Sequence, residues 1–525
     1  PKNNKARDLT NEMQQRHGWI MNPTGSPLAT NLTSFGFMYY LGVSPAAAMV
    51  NLSQTPLIAY PVLASRYGFK KAGKMLLKAG GELLKGKGHL DKSPLNTEER
   101  RAMKYFMQSG LIDKTMAHDL AGVAEGGESY NPKMQKWMSR ASYLFHHAER
   151  LNREVTAMAS FRLAREDGKS FKEAVKTAHD LTIESHFDYS SANRARYMQN
   201  DFAKVLLLFR QYSLNMTVRL WRDFKNQFSK DKDEAAQAKK QFWGIMGMTG
   251  VFAGTAGLPL YSVMTGLANL LGDDEDEPWD ADVALRQNLS SMFGEDMARI
   301  AMNGLLNETG ANIQSRVSLN NLWLRESNRE LEGRDKVAYY AEQFLGPVYG
   351  LALSGGMASQ LVKEDHTWRG IEYALPKFAK DVLKATRYNN EGVTNLRGDE
   401  IIKGEDLSLL EVVLQGSGFS PAAVGEAYSN NSSIKGAEQR ILGRRRLLLN
   451  RYAMAKRLDD TERQQEVLAM IDKYNVANPE YKLTRATLIK SIRRRQQYSK
   501  KADNGLMLNP HLDHLKTEYA LYGAQ

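Results

Sequence analysis

The sequence predicts an all-α protein, elongated and divided into several helical subdomains. Two observations carry that expectation. Apolar residues recur at helical spacing through most of the chain, and alternating strand patterns are hard to find. Periodic segments open on helix-capping residues: Ser44 ahead of Pro45, Ser170 ahead of Phe171, and Thr484 ahead of Arg485. There is no cysteine, which excludes a disulfide frame, a zinc–thiolate site and a thiol nucleophile.

Taken in order, residues 1–25 read as an N-terminal arm closed by an Asn22-Pro-Thr-Gly25 turn. The chain starts on Pro1 and shows no apolar leader, so it reads as a processed chain or as the ordered part of a longer polypeptide. Residues 26–130 form a first helical region, with helices expected over Ala46–Leu52, Ala72–Leu84 and Glu98–Ser109. Residues 131–240 form an amphipathic helical domain, with helices over Pro132–Arg165 and Phe171–Ile183. Residues 241–277 form an apolar hairpin with an acidic end. Residues 278–415 form a further helical region, with helices over Ala281–Leu306 and Lys336–Gln343. Residues 364–435 look loop-rich, marked by Asn389-Asn390 and Asn430-Asn-Ser-Ser433. Residues 416–525 form a basic helical domain, with helices over Ile434–Leu458, Thr461–Tyr474 and Arg485–Ser499. Two uncharged runs, Gly18–Ser65 and Phe344–Val362, read as core helices and connections rather than membrane spans.

The least ordinary stretch is Phe242 to Leu271, thirty residues without a charge. Lys239-Lys240 precede it and Asp273-Asp-Glu-Asp-Glu277 follows. At about 1.5 Å per residue it is long enough to cross a hydrocarbon layer of about 30 Å. Pro259 removes a backbone donor inside it, so a hairpin bent there is expected, with arms Phe242–Leu258 and Leu260–Leu271. A core hairpin and entry into a bilayer both remain open. In the second case Phe242, Trp243, Ile245, Met246, Val251, Phe252, Leu258, Leu260 and Val263 would meet lipid, and the acidic end would stay in water.

The net charge of +12 suits nucleic acid or anionic lipid. Nearly all of it is local: residues 435–501 hold eighteen Lys and Arg against seven Asp and Glu. Arg440, Arg444 and Arg451 share one helical face, with Lys435 nearby. Together with Arg493, Arg494 and Arg495 they are the candidate contacts to nucleic acid, through charge and without sequence preference. The alternative is a solvated face that pairs with acidic neighbours or another subunit.

Other patterns carry less chemistry. Glu184-Ser-His-Phe-Asp188 mimics the Glu-Ser signature of lytic transglycosylases, where a Glu serves as acid and base on a glycosidic bond. The supporting Gly-Leu-Met-Gln stretch is absent, so Glu184 reads as a helix end with Phe187 and Tyr189 packing. Gly81 to Lys87 has phosphate-loop spacing, but Gly88 replaces the magnesium-binding hydroxyl. His146-His147 with Glu149 lacks the one-turn spacing of a metal motif. Asp273–Glu277 places Pro278 where a calcium loop needs glycine. No catalytic residue, metal site or cofactor is expected.

Several stretches together carry a resemblance. Leu41-Gly-Val-Ser-Pro-Ala-Ala47, Asn51, Gln54, Pro56, Pro61-Val-Leu63 and Arg66-Tyr-Gly68 form the first. Asp188-Tyr-Ser190, Asn193, Arg196 and Phe209-Arg-Gln-Tyr212 form the second. The third is Gly418-Phe-Ser-Pro421, Arg444-Arg-Arg-Leu-Leu-Leu449, Asn475, Asn478-Pro479, Thr484 and Ser491-Ile-Arg-Arg-Arg495. In this order they resemble the C-terminal region of very large, polyvalent tailed-phage proteins with a Pro-Leu-x-Arg-Phe-Gly region. The resemblance implies a helical, non-enzymatic region of an internal virion (ejection) protein of a short-tailed phage. Such a protein is packaged in the capsid and ejected with the genome into the host envelope, and an upstream polymerase or peptidoglycan-cleaving domain often precedes the region. The partners implied are other virion proteins, genomic DNA, a host membrane and further copies of the chain. The alternatives are a nucleic-acid-binding module and a peptidoglycan-cleaving enzyme using Glu184.

Overall fold

The computed structural model describes residues 4–21, 26–113, 132–189, 195–272, 280–320, 322, 333–394 and 400–500, and the fold is all-α. The first helices are α1 (Asn4–Met21), α2 (Pro27–Tyr40), α3 (Pro45–Leu52), α4 (Tyr60–Tyr67), α5 (Phe69–Lys85) and α6 (Thr97–Gln108). Next come α7 (Pro132–Glu166), α8 (Phe171–His186), α9 (Asp201–Leu206), α10 (Arg210–Asn226), α11 (Lys232–Ala253) and α12 (Tyr261–Gly272). They are followed by α13 (Ala281–Phe293), α14 (Glu295–Asn303), α15 (Gln314–Val317), α16 (Gly333–Lys363), α17 (Thr367–Ala374) and α18 (Lys377–Glu391). A small antiparallel ribbon, β1 (Val393–Thr394) and β2 (Glu400–Ile402), pairs Val393 with Ile402. The last helices are α19 (Leu409–Gly416), α20 (Ala422–Arg457), α21 (Thr461–Ala477) and α22 (Arg485–Lys500).

The chain divides into two compact units: Pro1–Ser262 with Arg286–Ser429, and Val263–Leu285 with Asn430–Gln525. In the first unit α7 is the axis, and α3, α5 and α8 pack along it. The sequence explains how α5 fits. Ala72, Met75, Leu76, Ala79 and Leu83 recur at helical spacing and are buried, while the lysines fall on the opposite side. The expected caps are in place. Ser44 accepts from Ala47 N at 3.3 Å, and Ser170 with Glu173 closes a reciprocal capping box.

The second unit has its own small core. Leu448 of α20 meets Val467, Ile471 and Tyr474 of α21, with Leu483 and Leu488 at the start of α22. Asn475 fastens the turn between the last two helices, taking Leu483 N at 2.7 Å and donating to Leu483 O at 3.1 Å.

Several sequence expectations are corrected. The apolar stretch breaks at Gly254 rather than at Pro259. Gly254 has φ +68°, and a Cβ there would lie 2.1 Å from Met302 O. Gly304 answers it: with φ +85°, its Cβ would lie 2.3 Å from Phe252 O. The two backbones approach so closely that only glycine fits on either side. Pro259 falls in the connection before α12, where its missing donor is not needed. The helix expected over 281–306 is divided at Gly294, whose φ of +84° is a backbone conformation glycine adopts freely, although a Cβ there would meet nothing within 4 Å.

The stretch read as loop-rich is largely helical, since Asn389-Asn390 lies in α18 and Asn430–Ser433 inside α20. Weak helix propensity is overridden there by neighbouring residues that pack. Phe344–Val362 lies within α16, bent at Gly346 ahead of Pro347, while Gly355 and Gly356 stay helical. Its expected burial is only partial: Ala358 and Leu361 are buried, but Leu345, Leu353, Met357 and Val362 are exposed. The arm over 1–25 is mostly the exposed helix α1. Among the described residues no helix is long and apolar enough to cross a membrane. Asp273–Glu277 and Pro278 lie outside the described residues.

Candidate functional site

Helix α7 buries a stripe of polar residues: Glu149, Asn152, Arg153, Thr156 and Ser160, all on one helical face. Burying a charge is costly unless it is paired and hydrogen-bonded. Arg153, with no exposed surface, meets that condition. It donates to Leu111 O at 3.4 Å, His186 O at 3.4 Å and Phe187 O at 2.7 Å, with Glu149 Oε1 at 3.6 Å. Phe187 ends α8 with φ +61°, a strained value for a side chain of its size. Arg153 therefore holds the carbonyl of a residue that local sterics disfavour. His186 sits alongside, its Nε2 2.7 Å from Thr156 Oγ1 and its Nδ1 3.4 Å from Gln54 Oε1. Burial, and then the Arg153 guanidinium, hold its imidazole well below the ordinary histidine range.

Glu149, at one end of this stripe, lines a cavity of about 600 Å³. Leu57, Ile58, Phe145, Leu208 and Phe209 give its apolar wall; Asn51, Gln54, Glu149, Tyr189, Arg210 and Tyr212 supply polar groups. Burial pushes the Tyr212 hydroxyl up to about 12. Tyr189 is raised well above its ordinary value, by burial first and by Glu149 second. Both therefore remain neutral hydroxyls at neutral pH. Arg210 donates to Gln343 O at 2.6 Å and to Leu322 O at 3.3 Å. Among the described residues the lining includes no histidine, and so no nucleophile–imidazole pair.

The cavity joins stretches distant in sequence. Leu41, Ala47, Asn51 and Gln54 come from the first resembling stretch; Tyr189 and Phe209 to Tyr212 come from the second. The start of the third lies against α3: Ala46 N donates to Ser417 O at 3.1 Å, and Ala46 packs on Phe419. Arg316, also lining the cavity, donates to Gly418 O. The remainder of the third stretch, from Arg444 on, belongs to the second unit.

Glu184, in the last turn of α8, accepts from Arg66 Nη2 at 2.8 Å and Gln241 Nε2 at 3.3 Å. Arg219 and Arg222 stand 3.4 and 3.8 Å from its carboxylate. It thus ties α4, α8, α10 and α11 together. Phe187 and Tyr189 pack edge to face, with ring centroids 6.3 Å apart. Gly81–Gly88 is the end of α5 and the turn after it. His147 packs its ring on Tyr143 at 4.1 Å. Among the described residues no cluster could hold a metal ion.

The basic residues of the second unit divide. Arg440 pairs with Asp280 at 3.2 Å, which takes it out of the proposed stripe. Arg444 is half-buried, whereas Lys435 and Arg451 are exposed and Arg451 donates to Met470 Sδ at 3.7 Å. Arg493, Arg494 and Arg495 are exposed on α22, with Arg495 bonded to Asn450.

The residues expected to meet lipid divide as well. Ile245 is fully buried; Phe242, Met246 and Phe252 pack partly buried on the same core. Leu258 is half-buried, and Trp243, Val251, Leu260 and Val263 are exposed. Sequence reasoning missed Arg153, His186 and Tyr212 as structural centres. The available signal was Glu149, Arg153 and Thr156 at one-turn spacing.

No protein-family model, curated protein or solved structure matches this chain.

Proposed function

We propose that this chain is a non-enzymatic, structural region of a phage internal virion (ejection) protein. It is packaged in the particle and helps carry genome and protein across the host envelope. The observation that supports this reading is that residues of the first two resembling stretches, 41, 47, 51 and 54 with 189, 209, 210 and 212, line one cavity, and Phe419 of the third packs on Ala46 of α3. The contacts of Glu184 favour a structural role, because they are three guanidiniums and an amide, two of those guanidiniums being shared with the buried Asp223, rather than an open sugar cleft. The basic second unit offers exposed Arg and Lys for non-specific contact with packaged DNA. Mass spectrometry of purified particles tests the reading. Peptides of this chain should appear, within a longer polypeptide on denaturing gels. Their absence from infectious particles would refute it.

A further inference from the structure

One face of the first unit carries aromatic rings in a continuous row. Val218, Trp221 and Lys225 share a face of α10, where a solvent-facing helix is ordinarily polar, and Phe228 follows in the turn after it. Trp221 is 67 % exposed, Phe228 76 % and Trp243 of α11 59 %. The rings touch in sequence: Trp221 to Phe224 at 6.3 Å, Phe224 to Phe242 at 5.7 Å and Phe242 to Trp243 at 5.4 Å. Phe228 adds to Phe224 at 5.7 Å. Phe242 packs on the core and anchors the row. Beyond Trp243 a shallow hollow lined by Tyr60, Phe69, Lys239 and Lys240 extends the face to the start of α5.

The surround is basic. Arg222, Lys225, Lys239 and Lys240 are exposed beside the rings, and Lys70 and Lys71 follow Phe69. Of the nearby acids, Asp231 and Glu234 are engaged locally, and Asp233 is exposed in the first turn of α11. Asp231 caps α11, and Glu234 accepts from Ser229 at 2.6 Å and Asn226 at 3.0 Å.

We propose that this face docks on an anionic bilayer surface, with its rings at the headgroup level and its lysines on lipid phosphates, without crossing the membrane. Tryptophan prefers that depth because its ring is apolar and its N–H polar. Basic residues next to buried apolar rings supply the electrostatic half of interfacial binding. Two other occupants fit less well. A base sandwiched between rings needs them roughly 7 Å apart and parallel, about twice the base rise. These rings lie closer, and two of the contacts are edge-on. A second copy on the same face would oppose cation to cation.

The inference deepens the envelope reading by naming a lipid surface as partner, but it rests on this surface's own chemistry. Flotation of the full chain with vesicles of phosphatidylcholine, alone or mixed with phosphatidylglycerol, tests it. The chain should float with the mixed vesicles only and be released by salt. Trp221→Ala/Phe228→Ala/Trp243→Ala, and separately Lys225→Glu/Lys239→Glu/Lys240→Glu, should each lower the bound fraction by about tenfold or more, with far-UV circular dichroism unchanged. As a check independent of those variants, brominated lipid should quench the wild-type tryptophans. Failure to bind, wild-type binding by both variants, or binding to single-stranded DNA that vesicles do not compete would overturn the proposal. Particle composition is measured separately, so failure here and failure of the packaging reading are distinguishable.

Discussion

Removing the Arg153 guanidinium should be among the most damaging single changes in the first unit. Arg153→Ala leaves Glu149 without its buried cation and takes the donor from three backbone carbonyls, those of Leu111, His186 and Phe187. Breaking a buried pair by deleting one partner costs about 3–5 kcal/mol, because the remaining charge is uncompensated. A domain's whole stability is about 5–15 kcal/mol, so the loss is a large fraction of it. Arg165→Ala is the internal contrast. Arg165 pairs with Glu98 at 3.2 Å near the surface, an arrangement worth roughly 0.2–1 kcal/mol. Urea unfolding followed by circular dichroism and tryptophan fluorescence would compare the two, with Glu149→Ala and the double variant closing the cycle. A coupling of about 0.5–3 kcal/mol is expected between positions 149 and 153. If Arg153→Ala costs no more than Arg165→Ala, the view of Arg153 as the buried organiser of α7 and α8 is wrong.

His186 is held neutral in the fold, so unfolding takes up a proton below about pH 6.5; stability should fall with pH from there down to the depressed folded value, by up to about 1.4 kcal/mol per pH unit. His186→Gln should flatten that part of a pH series of urea midpoints. Gly254→Ala and Gly304→Ala should each cost at least about 1–3 kcal/mol from the left-handed backbone alone, whereas Gly247→Ala, in open space on α11, should be neutral or stabilising by up to about 1 kcal/mol in thermal melts. Glu184→Gln should leave any muralytic activity of the full polypeptide unchanged in a peptidoglycan turbidity assay; a large rate loss with folding intact would make it catalytic. Titration of the full chain, comparing wild type with Arg493→Ala/Arg494→Ala/Arg495→Ala on two unrelated duplexes, should show equal affinities for the two sequences and a shallower salt dependence for the variant.

The fold class was legible because helical spacing and capping residues act locally. Ser44, Ser170 and Thr484 stand at helix starts in sequence and structure alike. Breaks were less legible. Pro259 advertises a bend, yet the chain turns at Gly254, because the decisive fact is a backbone fifty residues away at Met302 and Gly304. Likewise Asn430–Ser433 carries a loop composition and still lies inside α20. The stretches that meet at the cavity could be picked out individually from sequence, but their meeting depends on packing around α7. Arg153 escaped attention for a related reason. An arginine on an amphipathic helix looks solvated until its carbonyl partners, from 111, 186 and 187, are brought to it.

The most direct test of the packaging reading compares full particles with particles emptied by triggered ejection, quantified by mass spectrometry for peptides of this chain against a capsid shell protein. The reading predicts that the chain is present in full particles and depleted from emptied ones together with the DNA. A chain absent from both, or retained in the emptied shell at its original ratio, would contradict it.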